Sequence, residues 1–304
     1  MRVAAIDCGT NSIRLLIADI TGDHFREIYR TMEVVRLGQG VDLNKAFHPE
    51  AIERTLKALT QFADDITRRG VEKIRFCATS ATRDAENRDL FIHGVENIIG
   101  VTPEVISGDE EAHLSFSGAT KELSSKDAPF LVIDIGGGST EFVFGSAKVE
   151  AAYSANIGCV RMTERHNVVS PLSAPDRERV IADIDQAITR ASAHVPLTQA
   201  HSVIAVAGTA TTVAAAALEL TEYDRYSIHL SRISASKIHE ISEKFCDMSR
   251  SEIAHLGYMH PGRVDVISAG SLVLSRAIHA TGASTCIISE SDILDGMAWS
   301  LAEK

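Results

Sequence analysis

Two short segments of this chain join an acid to a run of glycine and hydroxyl residues: Asp7-Cys8-Gly9-Thr10-Asn11-Ser12 and Asp134-Ile135-Gly136-Gly137-Gly138-Ser139-Thr140. Glycine lets a backbone approach a ligand closely, and successive amides in a tight turn bind anionic oxygens. Thr10, Asn11, Ser12, Ser139 and Thr140 add side-chain donors. Asp7 and Asp134 supply hard oxygens suited to magnesium, as ligands or as outer-shell acceptors. One such segment is equally well read as a hairpin turn. Two copies, 127 residues apart and each at the start of a domain-sized stretch, point instead to a duplicated device for phosphate and a divalent cation. A dinucleotide fingerprint is disfavoured, because Glu141-Phe142-Val143-Phe144 reads as strand where that motif opens a helix. A third turn, around Gly208 and Thr209, could add amides for a further phosphate or could simply cap a helix through Thr209.

The elements that must position these loops follow from periodicity. Strands are expected at Arg2 to Ile6, Ile13 to Ile20 and Phe25 to Leu37, forming an antiparallel meander. Ile52, Leu56, Leu59, Phe62 and Ile66 recur at helical spacing, and a buried strand follows at Lys73 to Ala78. Residues 82–99 read as helix, Glu104 to Ile106 as extended chain and Asp109 to Leu123 as helix, before a polar linker at Ser124 to Asp127. The pattern then restarts with strands at Phe130 to Ile135 and Glu141 to Phe144. Helices at 174–195, 210–219, 236–247 and 264–281, strands at Ser202 to Ala207 and Cys286 to Ser289, and a terminal helix complete the second copy. Alternating strands and helices imply α/β layering in both halves.

Composition excludes several classes of function. At 304 residues, 45% hydrophobic and 23% charged, the chain suits two ordinary globular domains. An Asp interrupts the first apolar run too early for a signal peptide or membrane span, so a cytoplasmic protein without membrane attachment is expected. Cys8, Cys77, Cys159, Cys246 and Cys286 stand far apart, which suggests neither zinc nor a disulfide framework. The net charge of −11 disfavours nucleic acid, and a polyanionic substrate would need local cations, amides or a metal.

In chain order, DCGTNS (7–12), ATSATRDA (78–85), SGDEEA (107–112), DIGGGSTE (134–141) and AGTATT (207–212) resemble the exopolyphosphatase and guanosine pentaphosphate phosphatase family over nearly the whole chain. The resemblance implies two actin-like (ribonuclease H-like) α/β domains, 1–125 and 126–304, with a phosphate-binding cleft between them and a last helix able to pack back on the first. It implies Mg2+, with Mn2+ as a substitute, held by Asp134, Glu141 and Asp7, and phosphate bound by Gly9, Thr10, Asn11, Ser12, Gly136, Gly137, Gly138, Ser139, Thr140, Gly208 and Thr209. Glu111 would be the base that activates water, and Arg83 the clamp on the transferred phosphate. Read from the residues alone, Ser107 to Glu111 is also a capped, dipole-compensated helix start. Arg36 is a weaker candidate for distal phosphates and reads equally as an edge-strand surface residue.

The implied activity is release of orthophosphate from inorganic polyphosphate, with guanosine pentaphosphate as the alternative substrate. Longer family members carry an added helical region, whereas this chain ends in a helix, Ile293 to Ala302. From residue 101 onward it carries 16 basic against 26 acidic residues, so short polyphosphates are expected to be favoured. A homodimer would join two clefts into a longer track. Phosphate loops by themselves also permit a small-molecule kinase or a nucleotide-dependent binding module.

Overall fold

The computed structural model describes residues 1–302, which divide into a first unit (residues 1–118 and the helix beginning at Ile293) and a second (119–292). In the first, β1 (Arg2–Cys8), β2 (Ser12–Thr21) and β3 (His24–Val34) form an antiparallel meander. β4 (Lys73–Ala78) runs parallel beside β1, and β5 (Glu104–Val105) parallel beside β4, giving the order β3-β2-β1-β4-β5. β1 is buried on both faces, which explains its unbroken apolar run. Ala4, Ile6 and Cys8 face a core shared with Leu59, Phe62 and Phe91 from the helices Pro49–Arg68 and Arg88–Ile99. Val3 and Ala5 face the opposite side, against Leu294, Met297 and Trp299 of the helix Ile293–Ala302.

Three expectations for this unit change. The third strand stops at Val34, because the amides of Val35 and Arg36 leave the sheet to bond the carbonyl of Asn11, at 3.0 and 2.8 Å. The helix expected over 82–99 is two pieces, Ser80–Asp84 and Arg88–Ile99. Between them Ala85 is extended, and the side chain of Asn87 is committed to both the N–H and the C=O of Phe47. The chain passes to the second unit at 118/119, ahead of the polar linker, because the helix Gly108–Thr120 sets Leu114 into the core that also takes Ile293 and Leu294.

The second unit repeats the plan. β6 (Phe130–Ile135), β7 (Thr140–Gly145) and β8 (Val149–Ala155) form a meander, and β9 (Ser202–Val206) runs parallel beside β6. β10 (Ser231–Ser234) and β11 (Thr285–Ile288) complete the order β10-β11-β9-β6-β7-β8. β8, β10 and the helix Cys159–Arg165 had no clear sequence signal: the strands are short or half-buried, and the helix has only seven residues. The helix expected from 264 begins at Ile267, after a 3₁₀ turn at Pro261–Arg263. Two α/β units, each with a meander beside parallel strands, constitute the actin-like class. All five cysteines are buried and free, and among the described residues no helix is long and apolar enough to cross a membrane.

Candidate active site

In the first unit, β1 ends at Asp7 and Cys8, and the turn that follows is closed by a bond from the Gly9 amide to the Ser12 carbonyl, at 3.0 Å. Three more carbonyls at this turn accept from the protein: Cys8 from Thr79 N at 3.1 Å, Thr10 from Gly38 N at 2.9 Å, and Asn11 from Val35 and Arg36. None of these bonds uses the amides of Thr10 or Asn11. The buried Thr10 Oγ1 and Asn11 Oδ1, together with Thr82 Oγ1, have no hydrogen-bond partner among the described residues. Buried polar atoms are rarely left so unless a ligand or water completes them. A turn with most of its carbonyls accepting from the protein, and with amides and a hydroxyl outside those bonds, is suited to an anion.

Arg83 and Glu111 reach this turn from the ends of adjacent parallel strands. Arg83 lies in the turn Ser80–Asp84 after β4, and Glu111 in the first helical turn after β5. Arg83 Nη1 donates to Glu111 Oε2 at 2.8 Å and to the Ile106 carbonyl at 3.0 Å. The Glu111 side chain is 12% exposed. Burial pushes its carboxyl above the usual range, with Asp7 adding in the same direction, against the opposing effects of Arg83 and the Thr79 hydroxyl. Glu110 points elsewhere, to Arg75 on the surface beside Glu104, as a 100° step along a helix requires. The capping reading also holds, since the Ser107 hydroxyl accepts from Glu110 N at 3.1 Å.

The second unit builds the same turn and buttresses it differently. Gly136 N bonds Ser139 O at 3.0 Å, as Gly9 does Ser12. Here the start of the helix Cys159–Arg165 takes the carbonyls: Gly136 accepts from Cys159 N at 3.0 Å, and Gly137 from Val160 N and Arg161 N at 2.9 and 3.0 Å. Arg161, a buried arginine, donates through Nε to the Gly138 carbonyl. The amides of Gly137, Gly138 and Ser139 enter none of these bonds. Gly158 makes the approach possible, because a Cβ there would lie 2.5 Å from the Gly137 oxygen.

Two expected phosphate donors have other uses. Thr140 gives its hydroxyl proton to the Ile157 carbonyl at 2.6 Å, so that group holds the turn in shape. The Thr209 hydroxyl faces Cys159 and would lie 2.8 Å from a Cβ at Gly270, so it packs on the helix Ile267–Thr281. Gly208 and Thr209 stand in the first turn of the helix Ala207–Ala217, which follows β9 beside β6. Arg263 covers this turn: Nη1 donates to Gly208 O and Thr212 Oγ1, each at 3.0 Å, and Gly208 leaves room for the guanidinium. Arg161 and Arg263 escaped the sequence reading because neither lies in one of the acid-and-glycine segments, and their partners are distant in the chain.

Register places the acids. Asp7 stands opposite Arg14 across β1 and β2, and Asp134 opposite Glu141 across β6 and β7. Arg14 donates to Asp7 Oδ2 through Nη2 at 2.7 Å and Nε at 3.0 Å. Asp134 and Glu141 are both buried, at 6% and 1% exposure, and Glu141 also accepts from Ser154 on β8 at 2.7 Å. Like charges directly opposite on neighbouring strands destabilise the pair, and burial increases that cost. A divalent cation held by both acids would lower that cost. No group of three or more His, Cys, Asp or Glu suited to a metal occurs among the described residues. Two carboxylates nonetheless fit Mg2+, which is usually held by one or two protein carboxylates with water and substrate phosphate completing its shell.

The profile of the Ppx/GppA phosphatase family matches residues 16–304. Exopolyphosphatase 2 of Mycobacterium tuberculosis is 46% identical over 314 residues, covering 99% of this chain and 98% of that protein. A solved exopolyphosphatase-like protein superposes with a TM-score of 0.95 at 41% identity, covering 100% of this chain and 99% of the other. The Aquifex aeolicus PPX-GPPA enzyme superposes with a TM-score of 0.83 at 27% identity, with 99% of both chains covered.

Proposed function

The chain belongs to the Ppx/GppA phosphatase family, and we propose that it is an exopolyphosphatase, cleaving the terminal phosphoanhydride of inorganic polyphosphate and releasing orthophosphate. The observation that carries this reading is a desolvated carboxylate, Glu111, held by Arg83 near a turn whose Thr10, Asn11 and Ser12 carbonyls accept from the protein.

Phosphoanhydride hydrolysis demands alignment and charge stabilisation, with little covalent work for the protein. The amides of the glycine turns bind the phosphate oxygens, and the Thr10 hydroxyl donates to one of them. Glu111 accepts a proton from water as the water oxygen bonds to the terminal phosphorus. The bridging P–O bond breaks, its electron pair stays with the shortened chain, and Arg83 faces the charge that develops. Mg2+, with Mn2+ as a substitute, would be held by Asp134 and Glu141 and would neutralise phosphate oxygens. Burial makes Glu111 a stronger base, and Arg83 opposes that shift by favouring the ionised form.

The test is phosphate release from polyphosphates of several lengths and from guanosine pentaphosphate, with Mg2+ present and chelated. Release from polyphosphate only with the metal is the expected result. Turnover confined to guanosine pentaphosphate would move the assignment to that nucleotide, and phosphate transfer to an acceptor would replace hydrolysis by kinase chemistry.

A further inference from the structure

Gly9 is a glycine that its own surroundings do not require. Its backbone is not left-handed, and a Cβ there would stand 3.7 Å from the Ser12 carbonyl oxygen and 3.9 Å from Thr79 Oγ1, both ordinary contact distances. A Cβ at the matching Gly136 would stand 3.2 Å from the Ser139 oxygen, which is tighter than side chains usually pack. Glycine at position 9 therefore leaves a space, between the first turn and the Thr79 hydroxyl, that a side chain could have filled. Thr79 itself is fixed by its backbone. It follows β4 directly, its amide donates to the Cys8 carbonyl at 3.1 Å, and its carbonyl accepts from Thr82 N and Arg83 N at 3.0 and 3.1 Å. The residue is buried, and its hydroxyl also faces the carboxylate of Glu111, whose Oε2 is taken by Arg83. One hydroxyl thus stands beside both the first glycine turn and the base.

We propose that Thr79 is a further catalytic residue, which together with Glu111 holds the attacking water in the space that Gly9 leaves beside the first turn. This rests on the proposed hydrolysis and adds a residue to it. A water molecule has two O–H groups. One gives its proton to Glu111 as the oxygen bonds to phosphorus, and the other donates to Thr79 Oγ1, whose own proton points to the Glu111 carboxylate. With both O–H groups engaged, a lone pair of the water oxygen is left for the phosphorus of a phosphate bound in the turn. No bond to Thr79 forms or breaks, and its proton stays on Oγ1. Thr79 supplies orientation, so its loss falls on kcat rather than on substrate binding.

The test is steady-state phosphate release from polyphosphate by the full chain, with Tm followed alongside. Thr79→Val keeps the shape of the side chain and removes the hydroxyl, so kcat should fall about tenfold or more while KM stays within about twofold and Tm is nearly unchanged. Thr79→Ser, which keeps the hydroxyl, should recover about a third or more of wild-type kcat. In a Glu111→Gln background Thr79→Val should cost less than about threefold, because orienting a water that is no longer deprotonated gains little. Wild-type kcat in Thr79→Val, equal losses in the valine and serine variants, or the full loss repeated on top of Glu111→Gln would each overturn the assignment. Should Thr79→Val fail to fold, Gly9→Ala decides. Its methyl group takes the water's space at ordinary contact distance, so kcat should again fall about tenfold or more, and a folded Gly9→Ala protein with wild-type kcat would overturn the inference. A wild type that releases no phosphate overturns the hydrolase reading and this inference with it, whereas an active wild type unaffected by Thr79→Val overturns this inference alone.

Discussion

Arg83 Nη1 lies 2.8 Å from Glu111 Oε2 while also donating to the Ile106 carbonyl. The guanidinium is thereby tied to the backbone on which Glu111 is carried. A carboxylate raised by burial and restrained by a fixed cation has its acidity set by the balance of the two.

Glu111→Gln keeps the shape of the side chain and removes the proton acceptor. We expect kcat to fall by roughly 10²- to 10⁴-fold with KM nearly unchanged. Glu110→Gln, which alters only the surface contact with Arg75, should stay within about threefold of wild type. Equal losses in steady-state kinetics would remove the basis for choosing Glu111.

Arg83→Ala tests the balance directly. Burial raises the Glu111 carboxyl and Arg83 opposes it, so loss of Arg83 raises it further. The ionised base then appears only at higher pH, and the acidic limb of the kcat/KM profile should move upward. A limb that stays in place while the rate falls would assign Arg83 to substrate alone.

Asp134→Asn takes one charge from the buried pair and should raise the Mg2+ concentration needed for half-maximal rate while lowering that rate. The check is a metal titration of phosphate release. An unaltered curve at normal turnover would reject Asp134 as a ligand.

Gly158→Ala forces a methyl group against the Gly137 carbonyl and should cost about 1–3 kcal/mol, read as a lower Tm. The same shift disturbs the Gly136–Ser139 turn, so on the proposed function KM should rise as well. A stable variant with wild-type KM would show that the turn does not depend on the start of the helix Cys159–Arg165.

Long polyphosphate brings many charges to a chain of net charge −11, and repulsion at physiological salt is only partly screened. A gradual ladder of intermediates on a gel, under excess long substrate, is the expected product pattern. Full-length polymer beside only very short products would show that the chain is retained between cleavages.

The two glycine turns were legible because their information is local: Gly9 to Ser12 and Gly136 to Ser139 each encode a closed turn within a few residues. The duplication was legible for the same reason. The Arg14 and Glu141 contrast could also have been found, since each lies seven residues after its Asp, and laying one copy over the other exposes the change of sign. Arg161 and Arg263 left no such mark, because their partners are carbonyls of segments distant in the chain.

By itself, then, the sequence determined which turns form, which acids end the strands and that the plan occurs twice, because glycine, hydroxyl and apolar spacing act over a few residues. Tertiary structure decided what each group faces. Strand register set Arg14 on Asp7, helix packing turned the carbonyls of Gly136 and Gly137 toward the protein, and the Thr140 hydroxyl was committed to the Ile157 carbonyl. Those outcomes depend on bonds between segments brought together by burying both faces of each sheet, and no local pattern states which partner will be there.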